Sequence, residues 1–177
     1  ARNTALTMAL FGGILDRAII APVKDATASF LEFEQNMKNA QVLSGATSDE
    51  FIAVSAAVKE LGDNFRYSAT ELSAVVDNLA RAGVNAGEMR SSIKTVIDFA
   101  DAIAKVSQRT VALQQSNEIL LAGVNAFKDQ LHSADIAGQW KEVADVLSSA
   151  ANASRADVED LNYFMNQVAA SVSETRA

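Results

Sequence analysis

Four short segments of this chain repeat one layout, and that layout limits it to short helices turned back on one another. Thr47-Ser48-Asp49-Glu50, Ser68-Ala69-Thr70-Glu71, Asn85-Ala86-Gly87-Glu88 and Ser154-Arg155-Ala156-Asp157 each place a small oxygen-bearing residue three positions before an acid. In such a capping box the first side chain accepts from an orphan N–H at a helix start, and the acid reaches back to the cap. Aspartate does this less well than glutamate. Thr47, Ser68, Asn85 and Ser154 are therefore the expected helix starts, with Gly83 as the turn before Asn85. A chain of this kind acts by shape and contact, so the layout points to mechanical or associative work.

Between the caps, apolar residues recur at helical spacing. Residues 1–45 read as one long N-terminal helix, or a helix pair around Pro22, the only proline. Inside a helix proline removes a backbone hydrogen bond, so Pro22 fits best in the first turn of a second helix. That helix carries Phe30, Phe33, Met37 and Ala40, and Gly45 closes it. The helix after Thr47 shows Phe51, Val54, Val58 and Leu61, with Gly62 as its natural stop. Leu72, Val75, Val76 and Leu79 follow Ser68. Gly83 ends that helix, and Val84 supplies the apolar contact that accompanies a glycine cap. Met89, Ile93, Val96, Ile97, Ala100 and Ile103 mark the next helix. No glycine or proline decides whether residues 86–131 form one helix or two. Leu113, Leu120, Val124, Phe127 and Leu131 continue the stripe. A turn over 133–138 leads to Trp140, Val143, Ala144 and Leu147. The last helix begins after Ser154 and carries Val158, Leu161, Met165, Val168 and Val172 in an a/d pattern. That seam is the candidate self-association surface. No period-two strand pattern survives, so the expected fold is all-α. It is a bundle or array of about six to seven antiparallel helices joined by short capped turns, with a long N-terminal stretch (1–45) and a helical core (46–177).

At 177 residues a packed core is feasible without disulfides or metals, and the chain has no cysteine. The net charge of −7 leaves no basic surplus to neutralise phosphates, so tight nucleic-acid binding is not expected. The apolar run Ala5 to Leu15 is too short to span a bilayer, and no basic region precedes it as in a signal peptide. Membrane contact through Leu6 to Val23 is a minor alternative. The chain opens on Ala1 where methionine is expected, which suggests a piece of something longer.

Few side chains invite chemistry. His132 is the only histidine, and with Asp129 and Asp135 it makes too small a set to hold a metal. It reads as a surface residue in a turn. No base is placed beside a serine or threonine, and no glycine-rich phosphate loop occurs. No catalytic, cofactor-binding or metal-binding residue is expected. Arg81 complements a helix C-terminus, and Trp140 reads as core. The corner at Gly83 shares the helix–turn–helix layout of DNA readers. The helix after it carries Glu88 against Arg90 and Lys94 in an acidic chain, which makes a poor reader of bases.

The order of local signals adds a resemblance. Phe33-Glu34-x-x-Met37 is followed by Ser44-Gly45-Ala46-Thr47, Leu61-Gly62 and Phe65-x-Tyr67-Ser68-Ala69-x-Glu71. Leu79-Ala80-x-Ala82-Gly83, Ala86-x-Glu88-Met89 and Ile97-x-Phe99-Ala100 come next, then Ala126-Phe127, Ala144-Asp145-Val146-Leu147 and Val158-x-Asp160-Leu161. Over roughly residues 30–165 this series resembles the helical core region of phage tail tape-measure proteins. The stretch Ile103 to Ala126 departs from that pattern, being longer and lacking a turn glycine before Gly123, while Lys128 stands where a glycine commonly follows the Ala-Phe pair. The departure favours one long helix from about Ala86 to Leu131. The resemblance implies a structural component of a phage-like tail, in the tail lumen or tail tip of the virion and in the host cytoplasm during assembly. It implies roles in tail assembly, length control and DNA ejection, and no cofactor. Its partners would be its own copies, threefold or sixfold, with tail tube and tail-tip or baseplate proteins. The alternative from another class is a helical adaptor or scaffold domain that binds a partner helix.

Overall fold

The computed structural model describes residues 23–175. The stretch before Val23, including Pro22 and the first helix expected there, lies outside the described residues. Among the described residues there are seven helices and no strand: α1 (Val23–Ser44), α2 (Ser48–Asn64), α3 (Ala69–Arg81), α4 (Ala86–Ser107), α5 (Leu113–Phe127), α6 (Ile136–Ser154) and α7 (Val158–Thr175).

The corners follow from cap chemistry. Thr47 and Glu50 form a reciprocal capping box at the start of α2, and Ser68 and Glu71 form another at α3. The Asn85 side chain accepts from the Glu88 N–H at the start of α4. Gly83 sits at φ +90, beyond the reach of most L side chains, and lets Val84 donate back to Leu79 O at 3.0 Å. Gly45 at φ +63 closes α1 in the same way, with Ala46 donating to Gln41 O at 3.3 Å. Gly62 does not stop α2, which runs on to Asn64 and ends at Phe65.

Two corners differ from expectation for one physical reason. Residues 86–131 are not one long helix: α4 ends where Gln108 turns left-handed at φ 55, and α5 starts anew at Leu113. Ser154 does not start the last helix either. It is the final residue of α6, and its hydroxyl donates to Ala150 O at 2.8 Å. Arg155 then takes φ 57, and Ala156 donates to Ala151 O at 3.1 Å. The cap of α7 is Asp157, whose carboxylate accepts from Asp160 N–H at 3.0 Å while Asp160 accepts from Asp157 N–H at 3.2 Å. Both corners use the left-handed stop that glycine usually fills, without a glycine. A non-glycine residue there costs about 1–2 kcal/mol. Gln108→Gly and Arg155→Gly are each expected to raise stability by about 0.5–1 kcal/mol, the remainder being lost to glycine's greater unfolded freedom. A lower urea midpoint for either variant would contradict this.

The most extensive packing joins each of three helices to the next but one: α1 to α3, α4 to α6 and α5 to α7. Short turns that reverse the chain twice bring such helices side by side. Accordingly α1 and α3 run the same way, with Ser29 O accepting from Thr70 Oγ1 and Asn36 Nδ2 donating to Ser73 Oγ at 3.2 Å. One apolar core runs through all seven helices, from Phe33, Met37 and Ala40 of α1 to Val158, Leu161 and Met165 of α7. The corner at Gly45 thus lies within one packed body. Leu72, Val76, Leu79, Ile93, Ile97, Leu120 and Trp140 are wholly buried. Each such aliphatic side chain contributes about 1.5–3 kcal/mol through removal from water.

Candidate functional site

In the stripe Val158, Leu161, Met165, Val168 and Val172, helical spacing puts the residues on one face of α7, as expected, but that face turns inward. Val158, Leu161 and Met165 are buried, Val168 packs against the same core, and α7 lies on α5 of its own chain. Val158, Leu161, Met165 and Val168 are thus spent within the fold. An a/d seam reports that a helix has a partner, and here the partner is intramolecular. The rest of the α7 surface is open, with Tyr163 68% and Phe164, on the flank of the seam, 50% exposed. No charged residue lies between Asp160 and Glu174. Helix α1 holds the other edge of the array and exposes Leu31, Val42 and Leu43. Each edge helix packs extensively on a single neighbour, α1 on α3 and α7 on α5.

Polar groups tie the corners to the helices. Tyr67 is buried, and its hydroxyl donates to Asp101 Oδ1 at 3.1 Å. Arg66 Nη2 donates to the same carboxylate and to the Tyr67 oxygen, both at 3.0 Å, and its guanidinium lies 5.1 Å from the Tyr67 ring centre. Burial pushes the Tyr67 phenol up, against the hydrogen bond from Arg66, which pulls it down. This links the α2–α3 corner to α4.

A second tie fixes the connection before α6. Glu142 accepts from the backbone N–H of His132 at 2.9 Å, the N–H of Ser133 at 2.7 Å and the Ser133 hydroxyl at 2.6 Å. These bonds, that from His132 N–H first, pull its carboxyl down to about 2 from 4.5. A lowered carboxyl stabilises the fold fully above its unfolded value, and the benefit is lost as pH falls through the folded one. Glu142→Gln is therefore expected to lower the melting temperature at neutral pH, with the difference from the parent shrinking between pH 4.5 and about 2. A difference unchanged across that range would refute the clamp. Sequence spacing hides this pairing, because Ser133 and Glu142 stand in different elements. His132 itself is 94% exposed, with Nδ1 3.5 Å from Glu142.

Among the described residues no group of three or more His, Asp or Glu converges as a metal site. None of the described helices is long and apolar enough to cross a membrane. Trp140 is wholly buried, and Arg81 pairs with Asp77 at 2.9 Å one turn before it.

A capped helical array with two apolar edges and surface ion pairs defines a structural, assembly-type domain. The family model for phage-related minor tail proteins matches residues 55–175. The chain belongs to that family, a structural one of the phage tail. It is 30% identical over 159 residues to the tape measure protein of Pneumococcus phage Dp-1, covering 88% of this chain and 13% of that protein. The chain thus spans about an eighth of that relative's length. No solved structure matches it.

Proposed function

We propose that this chain is a folded segment of a tape-measure protein, seated in the tail lumen or tail tip, where it serves tail assembly and length control and is displaced at DNA ejection. Residues 46–177 are its tape-measure-type core. The observation that carries the reading is the break of the helix at every corner and the packing of the pieces around one core. The longest described helices have 22 residues, about 33 Å each at the helical rise. A straight helix through residues 46–175 would measure roughly 195 Å. Folded in this way the segment is an anchor or plug, and the ruler lies elsewhere in the polypeptide. The charge of −7 per copy supports a body that does not grip passing DNA. In the phage that encodes it, deletion of residues 46–175 is expected to abolish tail assembly. Functional tails shortened by roughly 195 Å would make the segment part of the ruler and sink the proposal.

Its partners are its own copies, in threefold or sixfold arrangement, with tail tube and tail-tip or baseplate proteins. The contact between copies is assigned to the outer face of α7. Copies of charge −7 meet there without opposing like charges, and Tyr163 and Phe164 offer apolar area. Sedimentation equilibrium is expected to show association that Tyr163→Asp with Phe164→Asp abolishes. An unaltered association constant would move the contact elsewhere.

A further inference from the structure

We propose that the open face of α7 in one copy docks on the open face of α1 in the next, so that copies join head to tail. This rests on the self-association proposed above and names the second surface it requires. A face that meets its own twin is self-complementary and closes at two copies. A ring of three or six needs two different faces on each copy. Besides Tyr163 and Phe164, the large apolar side chains exposed among the described residues are Leu31, Val42 and Leu43 of α1, Ile52 of α2 and Val146 of α6. Helix α1 thus offers the largest share of what α7 can meet. Leu31, Lys38 and Val42, at positions i, i+7 and i+11, share one exposed side of α1. The buried Phe33, Met37 and Ala40 take the other side, while Val42 is 74% exposed.

Charge selects the same two surfaces. Charged residues make up 21% of the chain, yet Lys38 is the only one from Gln35 to Ser48, and Leu161 to Ser173 has none. Depletion of charge is the compositional mark of an interface core. Two bodies of charge −7 repel each other. At physiological salt, however, exposed charges are screened beyond about 8 Å, so the faces in contact decide the outcome. Here a neutral face meets one that carries a single cation. Lys38 can lay its stem along apolar neighbours and donate to the amide oxygens of Asn166 and Gln167, which are exposed on α7. The dimensions agree as well. Helix α1 has 22 residues and α7 has 18, about 33 and 27 Å at the helical rise, so the two match along most of their length. Within one chain neither edge covers the other, because α1 lies on α3 and α7 on α5. The occupant that brings an α7 face to every α1 face is a second copy.

The test mixes two blocked variants of the full chain and follows their mass by sedimentation equilibrium. Tyr163→Asp with Phe164→Asp blocks α7, and Leu31→Asp with Val42→Asp blocks α1. Each variant alone is expected to associate at least about tenfold more weakly than the parent. Their equimolar mixture is expected to form a one-to-one pair and stop there, because each copy keeps one intact face. Association of the parent should strengthen with added salt, which screens the repulsion between two acidic bodies. Circular dichroism checks that the variants fold, and Leu31→Ser with Val42→Ser, expected to weaken association by a smaller factor, replaces the α1 variant if it unfolds. An α1 variant that associates like the parent would mean that α7 meets α7, which overturns this inference and leaves the α7 contact standing. A mixture that stays monomeric, or association weakened by salt, would also overturn it. A parent that is monomeric at every concentration would remove the self-association and this pairing together. None of these outcomes bears on the tail-deletion result.

Discussion

Replacing Trp140 with alanine is expected to cost about 3–5 kcal/mol of folding stability, enough to leave much of a marginal domain unfolded at 37 °C. The indole is wholly buried on α6, the helix that packs on both α4 and α5. Its removal therefore opens a cavity where three helices meet, and a rigid helical scaffold closes such a void only partly. Trp140→Phe separates volume from polarity. The indole Nε1 finds no hydrogen-bond partner among the described residues, and a buried orphan donor costs about 1–3 kcal/mol. Phenylalanine gives up some volume but also removes that donor, so its net cost is expected to stay below about 1.5 kcal/mol. Urea unfolding followed by circular dichroism gives both values. A loss under 1 kcal/mol for Trp140→Ala would mean that α6 does not sit where the core places it.

The parts of this fold that were legible in the sequence are those enforced by local chemistry. Thr47 with Glu50 and Ser68 with Glu71 act within one helical turn, so neighbouring letters contain the whole interaction. Gly45 and Gly83 announce their corners because a positive φ excludes most other residues. The corners at Gln108 and Arg155 were illegible because surrounding structure holds ordinary residues in the left-handed region. With no glycine to mark the stop at Arg155, the letters alone place the next start at Ser154, whereas Asp157 caps the helix. The direction of the α7 seam was hidden for a different reason. Periodicity identifies a face but not what covers it, and α5 covers this one.

Gly123 is expected to be the most size-sensitive position on α5. A β-carbon built there would lie 2.5 Å from Val143 Cγ1, with Leu147 Cδ1 at 3.8 Å. Helices α5 and α6 approach each other through the missing side chain. A mid-helix glycine ordinarily costs about 1 kcal/mol relative to alanine, so its presence sacrifices helix propensity for that approach. Gly123→Ala regains the propensity but forces the helices apart, and the β-branched Val143 has little rotamer freedom with which to yield. The net expectation is a loss of about 1–2 kcal/mol for alanine and about 3 kcal/mol or more for valine. The mechanism predicts a specific rescue. Val143→Ala alone is expected to destabilise by opening space beside α5, whereas Gly123→Ala with Val143→Ala refills that space with the new methyl group. The double variant should then be more stable than the sum of the two single losses implies, by about 1 kcal/mol or more. Strict additivity would show that the two residues do not touch and that α5 and α6 pack in some other register.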